Sequence, residues 1–374
     1  MNAIAIERVA TWPEVASLVK DWQRLVQGAP TADVFSTHEW VTIWSEHFGA
    51  GKTPHMLVVR EDGRVAGIAP LVLETRRWRG LPVRALTFPM DRHVDLWRTD
   101  LLLEEGHRQG IGAILSFLVD ERRQWDVLEL DGFRSDSVHL AWLEETAREC
   151  GLAVSPRHVI QEALFLPIQE DWDHYIRRKN SSSRRELKRE RRALEALGPV
   201  VFSLHREPHE VDDAIPGVLT ILCNRLGARS LDEVQPFDRK LIDFTLDLAR
   251  RFSRREAVEV RLATVGGRPA ACLISLVRDR IVYPLLTKFD PAFSSGSPGR
   301  ALILDLIQDA PRLGYREIDF LSSWGHVRRY TQHARTYVGV RLFHSGLYSR
   351  MLRIGKHTVA PLYRKVAGAV RGGG

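Results

Sequence analysis

Cysteine is scarce in this chain. There are three, Cys150, Cys223 and Cys272, far apart and odd in number. No disulfide framework and no thiolate-rich metal site can be built from them, which points to a reducing, cytoplasmic setting. No run of about 18 apolar residues occurs, so no membrane-spanning helix is expected. The opening MNAIAIERVATW has no basic stretch leading into an apolar core and does not read as a secretory signal. Histidines are scattered. The close pair at helical spacing, His205 and His209, straddles Pro208 and lacks a third ligand, so no metal is expected. The GxSxG elbow of a hydrolase is absent. GAGKT at 49–53 resembles the end of a phosphate-binding P-loop, but the first glycine of that motif would fall on Glu46, and 44–48 reads as a helix end rather than a strand.

What is present bounds the answer from the other side. A chain of 374 residues is too long for one ordinary core, so two domains are expected. Hydrophobic residues at 44% and charged residues at 27% are the mix of a soluble globular protein. The formal net charge of +7 favours an anionic ligand, polymer or membrane surface as partner and says nothing about fold.

The halves repeat weakly. MLVVREDGRVAGIAPLVL (56–73) resembles EVRLATVGGRPAACLISLV (259–277), each a strand, a glycine turn and a strand, with Gly-Arg-x-Ala at the turn. GIGAILSFLVDERRQWDVLEL (110–130) parallels PGRALILDLIQDAPRLGYREIDF (298–320), helical spacing followed by a short apolar run. Two similar α/β domains are therefore expected, 1–168 and 169–345, with a basic amphipathic tail at 346–374. Just past that boundary, 177–192 carries nine basic residues against Glu186 and Glu190, and 184–197 reads as a helix with a narrow stripe of Leu187, Leu194 and Leu197. Two readings stay open for it: a solvated face, or a docking surface for CoA phosphates, a nucleotide-linked sugar, a lipid phosphate or tRNA. The tail places Leu347, Met351, Ile354, Leu362, Val366 and Val370 at helical spacing, interrupted by Pro361, among Arg350, Arg353, Lys356, Arg364, Lys365 and Arg371. Packing on its own domain and reversible contact with an anionic membrane surface both fit.

The most informative stretch is RIVYPLLTKFDPAFSSGSPGRALILDLIQDAPRLGYREIDFLSS, residues 280–323. It reads as a strand (281–288), a turn-rich loop (290–300), a helix (301–313) and a second strand (317–321). A Ser/Gly loop opening a helix leaves backbone N–H groups free at the positive end of the helix dipole, a site for phosphate or pyrophosphate. Asp319 lies inside the apolar run Ile-Asp-Phe-Leu, where a carboxylate is either tuned for chemistry or held in a structural hydrogen bond. His326 and Tyr330 follow in SWGHVRRY.

This segment resembles the acyl-CoA-binding layout of the GNAT superfamily. FSTHEWVTIWSEHFG (35–49), DGRVAGIAPLVL (62–73), RRELKRERRALEALG (184–198), GGRPAACLISL (266–276), FDPAFSSGSPG (289–299) and IDFL (318–321) extend the likeness to double-domain CelD-type acyltransferases of cellulose and exopolysaccharide synthesis and to Fem-type transferases. The resemblance implies an α/β fold (α+β mixed sheet) of tandem GNAT-like domains. It also implies acetyl-CoA or another acyl-CoA as co-substrate and transfer to a polar acceptor such as a sugar or polysaccharide precursor. The donor would lie along Leu285, Leu286 and Thr287, with its pyrophosphate on Ser294, Ser295, Gly296, Ser297, Gly299 and Arg300. Asp319, His326 and Tyr330 are the catalytic candidates. Relatives carry Gly-x-Glu-x-Tyr-Lys after the Asp-Phe-Leu strand. Here Ser322-Ser323-Trp324-Gly325-His326-Val327-Arg328 stands instead, without the Glu. Glu104-Glu105-Gly106 occupies the matching loop of the first half and opposes an anion, so CoA is expected in the second half alone. A Fem-type transfer from aminoacyl-tRNA and a non-catalytic scaffold in polysaccharide assembly are the alternatives. Cytoplasmic placement, with a possible station at the inner membrane face, completes the expectation.

Overall fold

A computed structural model of the protein describes residues 3–29, 32–78, 80–90 and 98–355. The tail charges Lys356, Arg364, Lys365 and Arg371 and the apolar Leu362, Val366 and Val370 lie outside the described residues. The chain divides into two units, Met1–Gln161 with Thr336–Gly374, and Glu162–Arg335.

The strands of the first unit are β1 (Ile4–Val9), β2 (Lys52–Pro54), β3 (Met56–Glu61), β4 (Arg64–Ala69), β5 (Val72–Trp78), β6 (Leu81–Thr87), β7 (Leu102–Leu103), β8 (Val127–Arg134) and β9 (Ala153–Val154). Its helices are α1 (Trp12–Ser17), α2 (Val19–Gly28), α3 (His38–Phe48), α4 (Arg108–Asp120) and α5 (Val138–Glu149). In the second unit come β10 (His158–Pro167), α6 (Trp172–Arg178), α7 (Ser181–Glu195), β11 (Val200–His205), α8 (Pro208–Leu226), α9 (Pro236–Ser253), β12 (Val258–Val265), β13 (Arg268–Arg278), β14 (Ile281–Phe289), α10 (Pro298–Asp309) and β15 (Glu317–Asp319). The chain then returns to the first unit as β16 (Ala334–Phe343) and α11 (Leu347–Ile354).

The two Gly-Arg-x-Ala hairpins form as read. Glu61 pairs with Arg64 across Asp62–Gly63, and Val265 with Arg268 across Gly266–Gly267. All four turn residues have positive φ (49°, 83°, 57° and 77°). That is the two-residue turn whose twist matches the strands, and it needs Gly, Asp or Asn. In the first unit β1, β3, β4 and β7 make one sheet, and β16, β8, β6, β5 and β2 run in that order in another. Leu128 and Leu130 of β8, Val338, Val340 and Leu342 of β16, and Ile111, Leu115, Leu118, Leu140 and Leu143 of α4 and α5 share one core.

The expected second domain ran to 345, whereas the second unit ends at Arg335. The reason is register. From Tyr337 to Leu342 the last strand pairs antiparallel with β8, and its alternate apolar residues enter the first unit's core.

In the second unit the strands run β11, β12, β13, β14, β15, β10. Six consecutive residues of β12, Val258 to Ala263, are buried, so both faces are covered. On one face α8 packs against Leu262 at Gly217, where an added Cβ would stand 3.2 Å from a leucine methyl. On the other face lies a charged network. Arg261, 1% exposed, donates to Asp305 (2.6 Å) and Asp309 (3.0 Å) of α10 and to Glu259 (3.4 Å). Glu259 also accepts from Arg206 and from the Tyr315 hydroxyl. Burial favours the neutral Tyr315 phenol and Glu259 adds to that, so its pKa is raised. The network ties α10 to β12 and so fixes where the loop before α10 stands.

Candidate active site

The strands β14 and β15 pair parallel at two positions, Ile281 with Glu317 and Val282 with Ile318. β15 ends at Asp319, held on its far side by β10 through Phe165, Leu166 and Pro167. β14 continues to Phe289. In that register β15 ends level with Tyr283, so from Pro284 onward no residue of β15 lies beside β14, and there the two strands part to leave the β14–β15 gap. On the other edge, β13 pairs Ile274 with Leu286 and Ser275 with Pro284, so Leu285 is the extra residue of a β-bulge. A bulge frees one residue's backbone from the ladder and turns it aside. Pro284 has no N–H to give. Leu285 and Leu286 are half-buried and Thr287 is exposed. A bulged peptide on an opened edge is a place where backbone N–H groups can meet a developing oxyanion and an extended ligand can lie as an added strand.

The loop between β14 and α10 is more ordered than a Ser/Gly turn. Residues Pro291–Gly296 form a 3-10 helix whose start is capped by the Asp290 carboxylate accepting from the Ala292 N–H (2.8 Å). Ser297 then takes a left-handed conformation (φ 49°, ψ 51°) before Pro298 begins α10. The N–H groups of Arg300 and Ala301 both close onto the Ser297 carbonyl (3.0 and 3.1 Å), and Pro298 has none. Gly299 is the first-turn residue whose N–H is not spent there. It is buried in the first turn of α10, and an added Cβ would lie 3.5 Å from Phe289 and 3.6 Å from Thr287, ordinary contact distances. The two glycines differ. A Cβ on Gly296 would stand 2.7 Å from the Leu194 Cα of α7. Gly296 is small so that α7 can lie on the loop.

Arg300 is likewise turned to α7. It donates to Glu190 (2.7 Å) and Glu186 (3.1 Å), and its side chain is largely buried. Two carboxylates already partner this guanidinium, so the expected phosphate contact would have to compete with them. The acids of α7 thus face the loop, while Arg185, Lys188, Arg189 and Arg192 are exposed.

Of the catalytic candidates, Asp319 is 2% exposed. It accepts the Leu321 N–H (3.0 Å) and pairs with Arg335 (3.3 Å), which also forks onto Glu317 (2.5 and 2.6 Å) and stacks over Phe165 (3.7 Å). These contacts fit a carboxylate that locks the end of β15. Asp319→Asn keeps the acceptor for Leu321 and loses the ion pair. It is expected to lower the melting temperature by a few degrees while turnover per folded molecule stays at the parent level; a tenfold loss of turnover at unchanged melting temperature would restore Asp319 to the chemistry. His326 is exposed, at the start of the short 3-10 turn Val327–Arg329. Tyr330 is buried, stacked on Phe320 at 5.4 Å. Burial pushes its phenol up to about 12, so it holds its proton more tightly than an ordinary tyrosine. Two residues not singled out from the sequence, Tyr175 and Lys179, meet the Tyr330 carbonyl (3.4 and 3.2 Å). Desolvation raises the Tyr175 phenol.

In the first unit the corresponding strands β6 and β8 pair parallel from Ala85 to Thr87, the very end of β6, so no long uncovered edge follows. Glu104 stands at the matching loop, held by Arg24 (2.5 Å) and Arg64 (2.6 Å). Among the described residues no group of His, Cys, Asp and Glu could hold a metal ion, and no helix is long and apolar enough to cross a membrane.

Residues 181–332 match a family model described as an acetyltransferase (GNAT) domain, and the second unit is an acyltransferase domain of that kind. No curated protein matches the chain. Among solved structures, FemX is 11% identical with a TM-score of 0.60, over 90% of this chain and 97% of that one. The C-terminal domain of a putative lysylphosphatidylglycerol synthetase from Agrobacterium fabrum is 12% identical with a TM-score of 0.52, over 91% and 95%. L-PGS from Bacillus licheniformis is 10% identical with a TM-score of 0.50, over 95% and 98%. At such identity these likenesses establish a shared mixed α/β fold.

Proposed function

We propose that the chain is an acyl-CoA-dependent acyltransferase of the CelD type, passing an acetyl or other acyl group to an amine or hydroxyl of a sugar or polysaccharide precursor. The observation that carries this is the parting of β14 from β15 beside the bulge at Leu285. The thioester arm of the donor lies along Leu285, Leu286 and Thr287, with the Leu285 N–H toward the thioester carbonyl. The pyrophosphate rests near Ser294 to Gly299, on the Gly299 N–H and the positive end of α10. The acceptor nitrogen or oxygen attacks the carbonyl carbon, the new C–N or C–O bond forms, the C–S bond breaks, and the acceptor's proton is released as the thiolate gains one. Tyr330 is the candidate side chain for that proton. Most of the rate comes from position and from N–H groups set for the oxyanion.

The exposed face of α11 supports a peripheral station at an anionic membrane. Leu352 is buried in its own unit, whereas Leu347, Met351 and Ile354 are exposed beside Arg350 and Arg353.

Titration of the whole chain with acetyl-CoA tests the reading, and micromolar binding is expected. A natively folded chain that binds no acyl-CoA would leave the scaffold alternative. The exposed basic face of α7 favours one rival, Fem-type transfer from aminoacyl-tRNA. Tight tRNA binding at physiological salt that depends on aminoacylation would put that reading first.

A further inference from the structure

The second unit has a cleft apart from the β14–β15 gap. It encloses about 330 Å³ and is walled by residues 166–171, by Tyr175, Arg178 and Lys179, and by residues 328–333. No residue of β14 or of the Ser294–Arg300 loop borders it, and α10 contributes Ile307. Part of its wall is β10, which lies beyond β15 as counted from β14.

Its charge is positive and poorly compensated. Arg178, Lys179, Arg328 and Arg329 stand against Glu170 and Asp171, four cations to two anions. Asp171 is occupied as the cap of α6, accepting from the His174 N–H (2.9 Å). The arginines have long ion pairs: Arg178 to Glu170 at 3.7 Å, Arg328 to Glu162 at 3.6 Å and Arg329 to Glu186 at 3.5 Å, with the cations 75%, 51% and 52% exposed. Such pairs hold little energy and yield readily to a better anion. Lys179 decides the matter. It is half-buried, donates to the carbonyls of Arg329 (2.6 Å) and Tyr330 (3.2 Å), and lies 4.6 Å from the Tyr175 ring. No carboxylate among the described residues pairs with it. Desolvation, then Arg178 and Arg300, lower its pKa. A desolvated ammonium with two of its three donors on carbonyls is relieved by an anion at the third.

We propose that this cleft holds a phosphate group of the acceptor, so that the molecule acylated is a phosphorylated sugar or a similar phosphate-bearing polar compound. The word acceptor rests on the acyltransferase reading; the phosphate site does not. Three guanidinium groups and an ammonium, brought together from two segments at 178–179 and 328–329, balance a dianion better than a monoanion. The phosphates of CoA have the same chemistry, but the cleft has no wall in common with the donor's loop.

The test is a set of titrations of the whole chain with glucose 1-phosphate, glucose, glucuronate and acetyl-CoA. Glucose 1-phosphate should bind, and glucose and glucuronate should bind more weakly. Lys179→Met should weaken glucose 1-phosphate by about tenfold or more, the scale of a lost charge-assisted hydrogen bond, with acetyl-CoA changed less than about twofold. Because Lys179 also braces the 329–330 backbone, the exposed Arg178→Ala and Arg328→Ala provide the second reading. Each should keep the parent melting temperature and weaken glucose 1-phosphate. The proposal is overturned if the sugar phosphate binds no better than glucose or glucuronate. It is also overturned if the arginine variants bind it like the parent, or if acetyl-CoA affinity falls in step with it, which would assign the cleft to the donor. Absence of acetyl-CoA binding in the parent sinks the acyltransferase reading alone, and the sugar phosphate titrations still decide the cleft.

Discussion

Arg261→Met should cost the second unit about 3–5 kcal/mol, the usual loss when one partner of a buried ion pair is removed. For a unit of this size that is a fall in melting temperature of roughly 6–20 °C. The variant keeps the length and packing of the side chain and strands Glu259, Asp305 and Asp309 without their shared cation. The loss should depend on pH in a defined sense. Burial already raises the Asp305 carboxyl while Arg261 pulls it down. A carboxyl raised in the folded chain holds its proton more tightly there than in the unfolded chain, so protonation favours the fold. Without Arg261 the downward pull is gone. The deficit should be largest near neutral pH and shrink as the medium is made acid. Denaturant unfolding of parent and variant at several pH values measures this; a deficit under about 1 kcal/mol, flat with pH, would contradict it.

Gly296→Val should be the second most damaging change, and through packing rather than through the donor. The new side chain meets the Leu194 backbone at 2.7 Å, and a backbone cannot move aside as a side-chain tip can. Overpacking of this kind costs about 1–3 kcal/mol and should lift α7 from the loop. Gly299→Val is the contrast. Its surroundings are at contact distance, so the melting temperature should stay near that of the parent, while the bulk lies where the pyrophosphate is placed and acetyl-CoA should bind more than about tenfold weaker. Thermal unfolding and acetyl-CoA titration of both variants separate the roles. If Gly296→Val melts like the parent, the packing account of that residue is wrong. If Gly299→Val binds acetyl-CoA like the parent, the placement of the pyrophosphate is wrong.

The architecture was largely readable from residue order. The strand, loop, helix and strand expected at 281–288, 290–300, 301–313 and 317–321 correspond to β14, the 3-10 segment with Ser297, α10 and β15, with ends shifted by a few residues. Local patterns carry that information: a period of two, a period near 3.6, and Gly or Asp where a turn needs positive φ. The side-chain assignments were less readable because they depend on partners far along the chain. Arg300 reads as a phosphate ligand from its place after a glycine, while the carboxylates it meets, Glu190 and Glu186, are 110 and 114 residues away and invisible to local pattern. Gly296 reads as room for an anion, yet a Cβ there would meet Leu194 of α7, a helix whose sequence shows a basic surface with a narrow leucine stripe and no sign of what it packs on. The burial of Leu194 and exposure of Leu197 show how little of the expected apolar stripe on that helix is used. The Arg261 network did leave a trace. Glu259 and Arg261 alternate inside the apolar VEVRLATV, and Asp305 and Asp309 are one helical turn apart, a pattern that charged residues on a solvated face of an edge strand would also produce.

The order of residues along the chain and the order in which the units can be finished run in opposite directions. The second unit is one uninterrupted stretch, Glu162–Arg335, and has all its strands once that stretch has left the ribosome. The first unit begins earlier, but β16 supplies Val338, Val340 and Leu342 to its core and is the antiparallel neighbour of β8 along Tyr337 to Leu342. Until those late residues are made, one edge of β8 has no strand beside it and the core under α4 and α5 lacks Val338, Val340 and Leu342. The half translated first is therefore the half completed last, and during synthesis it is the half exposed for longest to the wrong partners.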